Sequence, residues 1–169
     1  MKKQFFLIVM LLCLCGMLFA GCSATHAQQE EDKPLVQPTE ADPQAALDEI
    51  YAECTVKNLG LATEKEAHEV LGLELADIMS YHIMYSKGNY GVKDTYIIRP
   101  MPGKVSEVRT QLENRQDAMI RQYEHYDIYK SYEISLGALI YEQGDYLIML
   151  MHEDNDEVRA IIDKHIPSK

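Results

Sequence analysis

Apolar residues along positions 43–169 recur with two different spacings, which divide this part of the chain into eight predicted elements. Spacings of three, four and seven residues predict amphipathic helices that begin near positions 43, 63, 104 and 155. Runs rich in Val, Ile, Tyr and Thr predict strands over 78–85, 92–99, 132–141 and 146–151. The predicted order is therefore α-α-β-β-α-β-β-α.

Capping residues and helix breakers give the boundaries of the first two helices. Asp42 can accept hydrogen bonds from the free amides of the first turn, and Pro43 suits the first helical position. Cys54 lies on the apolar stripe of this helix, and we expect the helix to stop before Gly60. Residues 63–66 have the sequence of a capping box, which predicts a short helix that ends near residue 72.

The two later helices are amphipathic. The longer one is predicted over 104–126, about six turns, and its apolar residues share one face: Val105, Val108, Leu112, Met119, Tyr123 and Tyr126. Charged residues, among them Arg115, are predicted to occupy the rest of this helix. The last helix is predicted over 155–165, with acidic residues at its start and Lys164 near its end, as the helix dipole favours. Both helices are expected to lie on the sheet.

Short turns that contain glycine join the predicted strands into two hairpins. Residues 87–91 separate the first pair, and residues 143–145 separate the second. Residues 147–151 are continuously apolar, so we expect the fourth strand to be central and covered on both faces. The pattern predicts an α+β fold in which helices pack on a four-stranded, mainly antiparallel sheet.

The N-terminus has the organisation of a secretory signal peptide. A basic start at residues 1–3 precedes an apolar stretch over 5–19, which small residues and a cysteine follow. The alternative is a membrane-spanning helix, but that needs about 20 apolar residues. We expect a signal peptide over 1–21, a lipidated and flexible tether over 22–42 that contains Pro34, Pro38 and several acids, and one globular domain over 43–169.

The end of the signal peptide, Leu18-Phe19-Ala20-Gly21-Cys22, resembles the bacterial lipobox, with Phe19 where that motif usually has leucine. The resemblance implies cleavage after Gly21 and a diacylglyceryl group on the sulfur of Cys22. Two acyl chains give stable membrane attachment, whereas one holds only marginally. We therefore expect a protein anchored by lipid to the extracytoplasmic face of the cell membrane.

Charge and aromatic content narrow the choice of partners and of core residues. The chain has 16 basic and 27 acidic residues, and loss of Lys2 and Lys3 with the signal peptide takes the net charge from −11 to −13. Such a charge repels phosphate backbones, which argues against nucleic acid as a partner. Trp is absent and all three Phe lie in the signal peptide, so we expect several of the eleven tyrosines to anchor the core. The alternative is a groove lined with tyrosines.

The sequence offers one candidate for a functional site, a metal site at His152, Asp154 and Asp156. A histidine beside clustered carboxylates can bind a divalent cation. Alternatively, Asp154 or Asn155 caps the last helix and Asp156 stabilises its first turn, which accounts for the same residues without a ligand. No phosphate-binding loop or nucleophile motif is present in the sequence, so we predict no catalytic residue, no cofactor and no metal. Cys54 has no partner for an intramolecular disulfide once Cys22 is lipidated.

The C-terminal part of the chain also resembles a known family. The resemblance is carried by residues 103–108, by the helix into Gln122, Tyr123 and Tyr126, and by residues 138–141 and 144–148. These segments are similar to small lipoproteins of Gram-positive bacteria that carry a C-terminal domain of unknown function, over about 78–165. The resemblance implies a place in the cell envelope and supplies no catalytic residue.

Together these features predict a membrane-anchored extracytoplasmic lipoprotein that acts as an interaction or accessory module of the cell envelope. Its expected partners are the membrane, through the lipid on Cys22, and another envelope protein. A lipoprotein that binds a small molecule or a metal is the alternative, and an envelope enzyme is the third possibility. A deep pocket with convergent polar groups would favour either of these.

Overall fold

The computed structural model describes residues 40–54 and 58–168. The predicted signal peptide, Cys22 and nearly all of the predicted tether lie outside the described residues. The described residues belong to one compact unit. Among them, no helix combines the length and the apolar character that crossing a membrane requires.

The described residues form five α-helices, five strands and two 3₁₀ turns. The helices are α1 Pro43–Ile50, α2 Glu64–Glu69, α3 Val105–Tyr123, α4 Ser131–Leu136 and α5 Asn155–His165. The strands are β1 Leu59–Leu61, β2 Ile78–Ser86, β3 Asp94–Pro100, β4 Leu139–Gln143 and β5 Tyr146–Met151. The 3₁₀ turns, Leu75–Asp77 and Ile128–Lys130, precede β2 and α4. The fold is therefore α+β, as predicted.

All five strands join one antiparallel sheet in the order β1-β2-β3-β5-β4. The two predicted hairpins, β2–β3 and β4–β5, are both present, and β3 pairs with β5 to join them. In that central pairing Ile97 lies opposite Ile148. The prediction that the strand over 146–151 is internal is confirmed, because β5 has a neighbour on each side.

Helices cover both faces of the sheet, and alternate residues of the central strands point into two separate cores. On one face, Leu147 and Met149 pack with residues of α2, α3 and α4. On the other face, Ile148 and Leu150 pack with residues of α1 and α5. Residues 147–151 are all fully buried, which explains why this segment is continuously apolar.

The prediction of four strands is wrong, because the sheet has a fifth strand, β1. Leu59 pairs with Ser86 and Leu61 pairs with Met84, so β1 extends the sheet beside the end of β2. Gly60 is predicted to end a helix, and a strand of three residues gives too short a pattern to detect. The observed order of elements is α-β-α-β-β-α-α-β-β-α.

The predicted strand over 132–141 begins as a helix. Residues 131–136 form α4, and β4 starts only at Leu139. The buried residues Ser131, Ile134 and Ser135 are spaced three and four apart, which is the spacing of a helical face. Tyr132 and Ile134 gave this segment a high β propensity, but packing against α3 prevails over it.

Two helices are shorter than predicted. α1 ends at Ile50, and Tyr51 leaves the helix so that its hydroxyl donates to the backbone oxygen of Lys93, at 2.9 Å. Cys54, predicted to lie within this helix, follows it and is half-buried. α3 ends at the buried Tyr123, and Tyr126, predicted to lie on its apolar stripe, is 76% exposed.

Candidate functional site

The two ends of the sheet differ in the segments that they carry. The loop end carries the β2–β3 connection (87–93), the segment after α3 (124–130) and the residues after β5 (152–154). The entry end carries the β4–β5 turn (144–145) and the start of α1, where the described chain begins. α1 runs from the entry end towards the loop end, where Tyr51 contacts Lys93.

Three tyrosines at the loop end point into solvent. The exposed fractions are 58% for Tyr90, 76% for Tyr126 and 78% for Tyr129, and these residues are called the tyrosine surface. The other eight tyrosines are buried or half-buried. The expectation that tyrosines anchor the core is therefore confirmed for Tyr85, Tyr96 and Tyr123, which are buried. The side chains of the tyrosine surface therefore add little to the buried core.

The segment that carries Tyr129 has a strained backbone. Tyr129 has φ 52° and ψ 41°, and the next residue, Lys130, has φ 59° and ψ 24°. A residue with a side chain in this left-handed region costs roughly 1–2 kcal/mol. Strain of this kind persists only where the surrounding structure enforces it, and it occurs preferentially at functional sites.

Hydrogen bonds on both sides of the strained pair enforce its conformation. Before the pair, the carboxylate of Asp127 accepts the backbone N–H of Tyr132, at 2.8 Å. After the pair, the Ser131 hydroxyl donates to the backbone oxygen of Ile128 and accepts the backbone N–H of Val92, the latter at 3.0 Å. Ser131 is fully buried, so it ties the loop before α4 to the loop before β3.

The two loops also touch directly. Gly91 has φ +102°, and a Cβ atom there would lie 3.4 Å from the Tyr129 ring and 3.3 Å from the Ser131 hydroxyl. Glycine therefore allows both the backbone conformation and the close approach. The Gln122 side chain donates to the side-chain oxygen of Asn89 at 3.1 Å, and the Tyr123 hydroxyl donates to the Gly91 oxygen at 3.3 Å. These contacts join the segments that carry Tyr90 and Tyr129 into one unit.

A buried charged group lies beneath these loops, at the start of β3. The Asp94 carboxylate is 1% exposed and accepts the backbone N–H of Ser86 at 2.8 Å. The Arg115 guanidinium of α3 lies 3.8 Å from this carboxylate and donates to the Tyr96 hydroxyl at 3.0 Å. Burial raises the pKa of Asp94, and the charge of Arg115 opposes that shift. This group fixes α3 to β3, the strand that begins at the loop end.

A second polar group lies on the opposite face of the sheet, at the same end. Nε2 of His152 lies 2.8 Å from the Thr95 hydroxyl, and the Tyr51 hydroxyl donates to the same oxygen at 3.0 Å. Burial lowers the pKa of His152 to about 4, so the ring is neutral at pH 7. Thr95 is fully buried and unreachable by a substrate, so we assign this group a structural role.

The structure separates the three residues of the weak metal candidate. His152 is directed to Thr95 in the sheet, whereas Asp154 caps α5 by accepting the backbone N–H of Glu157, at 2.9 Å. The capping interpretation is therefore confirmed for Asp154, and Asp156 lies in the first turn of α5, as that interpretation requires. Within residues 40–54 and 58–168, no three His, Cys, Asp or Glu side chains group in a way that could hold a metal ion.

The entry end has two adjoining cavities, of about 330 and 380 Å³. Both are lined by Arg99, Gly144, Asp145 and Tyr146. Their volumes are at the low end of the range for small-molecule pockets, about 300–1,000 Å³. The Arg99 guanidinium and the Asp145 carboxylate pair with one another at 3.0 Å. The two charged groups that line both cavities are thus engaged with each other.

Sequence reasoning missed the role of Arg115, although a signal was present. The buried residues of α3 are Val108, Leu112, Met119 and Tyr123, and position 115 falls on the same stripe, seven residues after Val108. A charged residue on an apolar stripe indicates a buried partner of opposite charge. Asp94, at the start of a strand of apolar residues, is that partner.

Comparison with known proteins identifies one family. The family model described as "Domain of unknown function (DUF4358)" matches residues 52–152, which is more than half of the chain. The matched region runs from just after α1 to the residue after β5, so it contains the whole sheet and the tyrosine surface. No curated protein and no solved structure matches the chain.

Proposed function

Because this chain belongs to the DUF4358 family, defined by a domain of unknown function, we propose a role from its own surface. The protein acts as a lipid-anchored module of the cell envelope that binds another protein through the tyrosine surface. The observation that carries the proposal is the exposure of Tyr126 and Tyr129 on a strained and firmly held loop. Tyrosine is enriched at protein interfaces, where its ring supplies buried area and its hydroxyl supplies a hydrogen bond.

Rigidity of the loop supports a binding role. Ordering a flexible loop on binding costs free energy, so a surface that is already ordered binds more tightly for the same contacts. Residues 127 to 132 are held by the Asp127 carboxylate and the Ser131 hydroxyl, and Gly91 lets the neighbouring loop pack against them. The tyrosine side chains therefore present a preorganised surface to a partner.

The position of the tyrosine surface suits a tethered protein. The described chain begins at the entry end, and Glu40 and Ala41 lie there beside the β4–β5 turn. A lipid on Cys22 would connect to this end through the intervening residues of the predicted tether. The tyrosine surface lies at the opposite end of the sheet from Glu40 and Ala41, so the point where the tether joins the domain does not cover it.

Photo-crosslinking in cells tests the docking role. A photoreactive amino acid at position 90, 126 or 129 is expected to give the same discrete adduct, because the three side chains would contact one partner. Met79 is 49% exposed at the entry end and serves as the control position. The proposal fails if the three positions give no adduct, or if position 79 gives the same adduct.

The anchor is tested separately by Cys22→Ser. The serine variant is expected to lose incorporation of a labelled fatty acid and to accumulate as a larger precursor or as released protein. Equal labelling of the variant and the unaltered protein would contradict lipidation at Cys22. This experiment does not involve the tyrosine surface, so the two parts of the proposal can fail independently.

A further inference from the structure

We infer that the partner offers cationic side chains, arginine or lysine, to the tyrosine surface; this inference rests on the proposed function. The faces of tyrosine rings attract cations, so exposed tyrosines favour such a partner over a neutral one. The charge around the rings provides a second and independent argument, because the carboxylates at the loop end outnumber the cations.

The loop end carries a surplus of exposed carboxylates. Seven exposed acidic side chains lie in the segments of the loop end or in the helix turns that adjoin them. Glu124, Asp127, Glu153 and Asp154 lie in the segments themselves, and Glu133, Asp156 and Glu157 lie in the first turns of α4 and α5. Four basic side chains lie in the same segments: Lys87, Lys93, Arg121 and Lys130. Lys130 pairs with Glu153, one of the seven carboxylates, at 3.7 Å, and Lys87 pairs with Glu66 at 2.7 Å, so acidic side chains still outnumber basic ones. The field at the loop end is therefore negative.

Charge complementarity also excludes other occupants. A second copy of this chain would bring a net charge of −11, or −13 without the signal peptide, to the same surface. Like charges placed together oppose association. An anionic polymer or an anionic lipid surface is repelled for the same reason. A cationic polypeptide is attracted over a distance by the carboxylates and, on contact, by the rings of Tyr126 and Tyr129.

The test measures binding of a defined peptide to the full chain in detergent micelles. The probe is a 12-residue peptide of alternating arginine and glycine, and its control has glutamine in place of arginine. Replacing Tyr126 and Tyr129 together by leucine keeps apolar area but removes the aromatic rings. This variant is expected to raise the Kd for the arginine peptide about 5- to 30-fold, the combined effect of two exposed cation–π contacts. The matched double replacement by phenylalanine keeps both rings and should change the Kd less than about twofold.

A pair of charge variants tests the second argument. Glu153→Gln removes a carboxylate at the loop end, and Glu107→Gln removes one at the start of α3, at the entry end. The two residues are comparable, since each is exposed and paired with a lysine, Lys130 and Lys104 respectively. We expect Glu153→Gln to raise the Kd about two- to fivefold, and Glu107→Gln to leave it unchanged.

Three outcomes would overturn the inference: no binding of the arginine peptide, equal binding of the glutamine peptide, or unchanged binding by the leucine variant. The third would mean that net acidity alone attracts the peptide. If any of these occurs while the crosslinks from positions 126 and 129 persist, the docking role stands and only the chemistry of the partner is wrong. If the crosslinks are also absent, the proposed function fails as well.

Discussion

Replacement of Arg115 by methionine tests the charged group that joins α3 to β3. Methionine resembles arginine in the length of its apolar stem, so the substitution removes the charge with little loss of packing. It leaves the Asp94 carboxylate, which is 1% exposed, without a cation nearby. It also removes the donor that bonds the Tyr96 hydroxyl at 3.0 Å.

The structure gives the expected size of the effect. At the 3.8 Å separation of Arg115 and Asp94, and an effective dielectric constant of about 20, Coulomb attraction contributes roughly 4 kcal/mol. Removal of one partner from a buried ion pair lowers the free energy of unfolding by about 3–5 kcal/mol, which agrees with the Coulomb energy. For a domain of this size, we expect the melting temperature to fall by on the order of 10–20 °C.

The assay is chemical denaturation of the purified protein, followed by circular dichroism, with Arg109→Met as the matched control. Arg109 lies on the same helix, but its ion pair with Glu142 is exposed to solvent. Its loss should therefore cost less than about 1 kcal/mol. Asp94→Asn added to Arg115→Met should restore much of the stability, because the amide still accepts the Ser86 N–H without burying a charge.

The pH dependence provides a further check. Burial holds the pKa of Asp94 above its ordinary value in the folded state, so protonation of this group favours folding. Without Arg115 the pKa rises further. The free energy of unfolding that Arg115→Met loses relative to the unaltered protein should therefore shrink as the pH falls from 7 towards the ordinary pKa of aspartate. An equal loss of free energy of unfolding in Arg115→Met and Arg109→Met would refute the role given to the pair of Arg115 and Asp94. A loss in Arg115→Met that grows on acidification would also refute it.

Three further predictions concern packing, capping and metal binding. Leu147→Ala and Ile148→Ala should each lower the free energy of unfolding by about 2–5 kcal/mol, because the two side chains fill cores on opposite faces of β5. A loss below about half a kcal/mol for both, in chemical denaturation, would contradict this packing. Asp154→Ala should cost about 1 kcal/mol through loss of the cap. Millimolar Ca²⁺, Zn²⁺ or Mn²⁺ should leave the melting temperature unchanged. A rise of several degrees that disappears in Asp154→Ala with Asp156→Ala would instead indicate a metal site.

Local patterns were enough to predict much of the fold. The capping box at 63–66 is present as predicted, since the Thr63 side chain accepts the Glu66 N–H and the Glu66 carboxylate accepts the Thr63 N–H. Residues 147–151 are continuously apolar because β5 is covered on both faces. The capping box depends only on neighbours along the chain, and a strand buried on both faces requires an unbroken run of apolar residues. Both features can therefore be recognised from the sequence.

Other elements depend on contacts that the sequence pattern does not contain. Residues 131–136 have the composition of a strand, yet the Gln116 side chain of α3 donates to the Ser135 oxygen, and this turn packs on α3 as a helix. β1 has three residues and exists because Leu59 and Leu61 find partners at the far end of β2. In both cases tertiary contacts override a weak local preference.

The tyrosine surface could not be predicted either. A helical pattern placed Tyr126 on an apolar stripe, but α3 ends at Tyr123 and leaves Tyr126 in solvent. Positive φ values at Tyr129 and Lys130 are enforced by Ser131, whose partner Val92 is 39 residues away in sequence. Single-residue preferences disfavour that backbone conformation for a tyrosine. Only the tertiary structure reveals it.

The contact between α1 and α5 determines how the domain responds to tension on its N-terminal segment. Near one end of α1, the Asp42 N–H donates to the His165 oxygen at 2.9 Å; at the other end, the Glu49 carboxylate pairs with Lys164 and His165. A pull that enters at Asp42 is therefore passed to the last turn of α5 before it reaches Tyr51, where α1 contacts the loop end. We therefore expect a pull on the N-terminal segment to load the C-terminal helix before it reaches the loops that carry the exposed tyrosines.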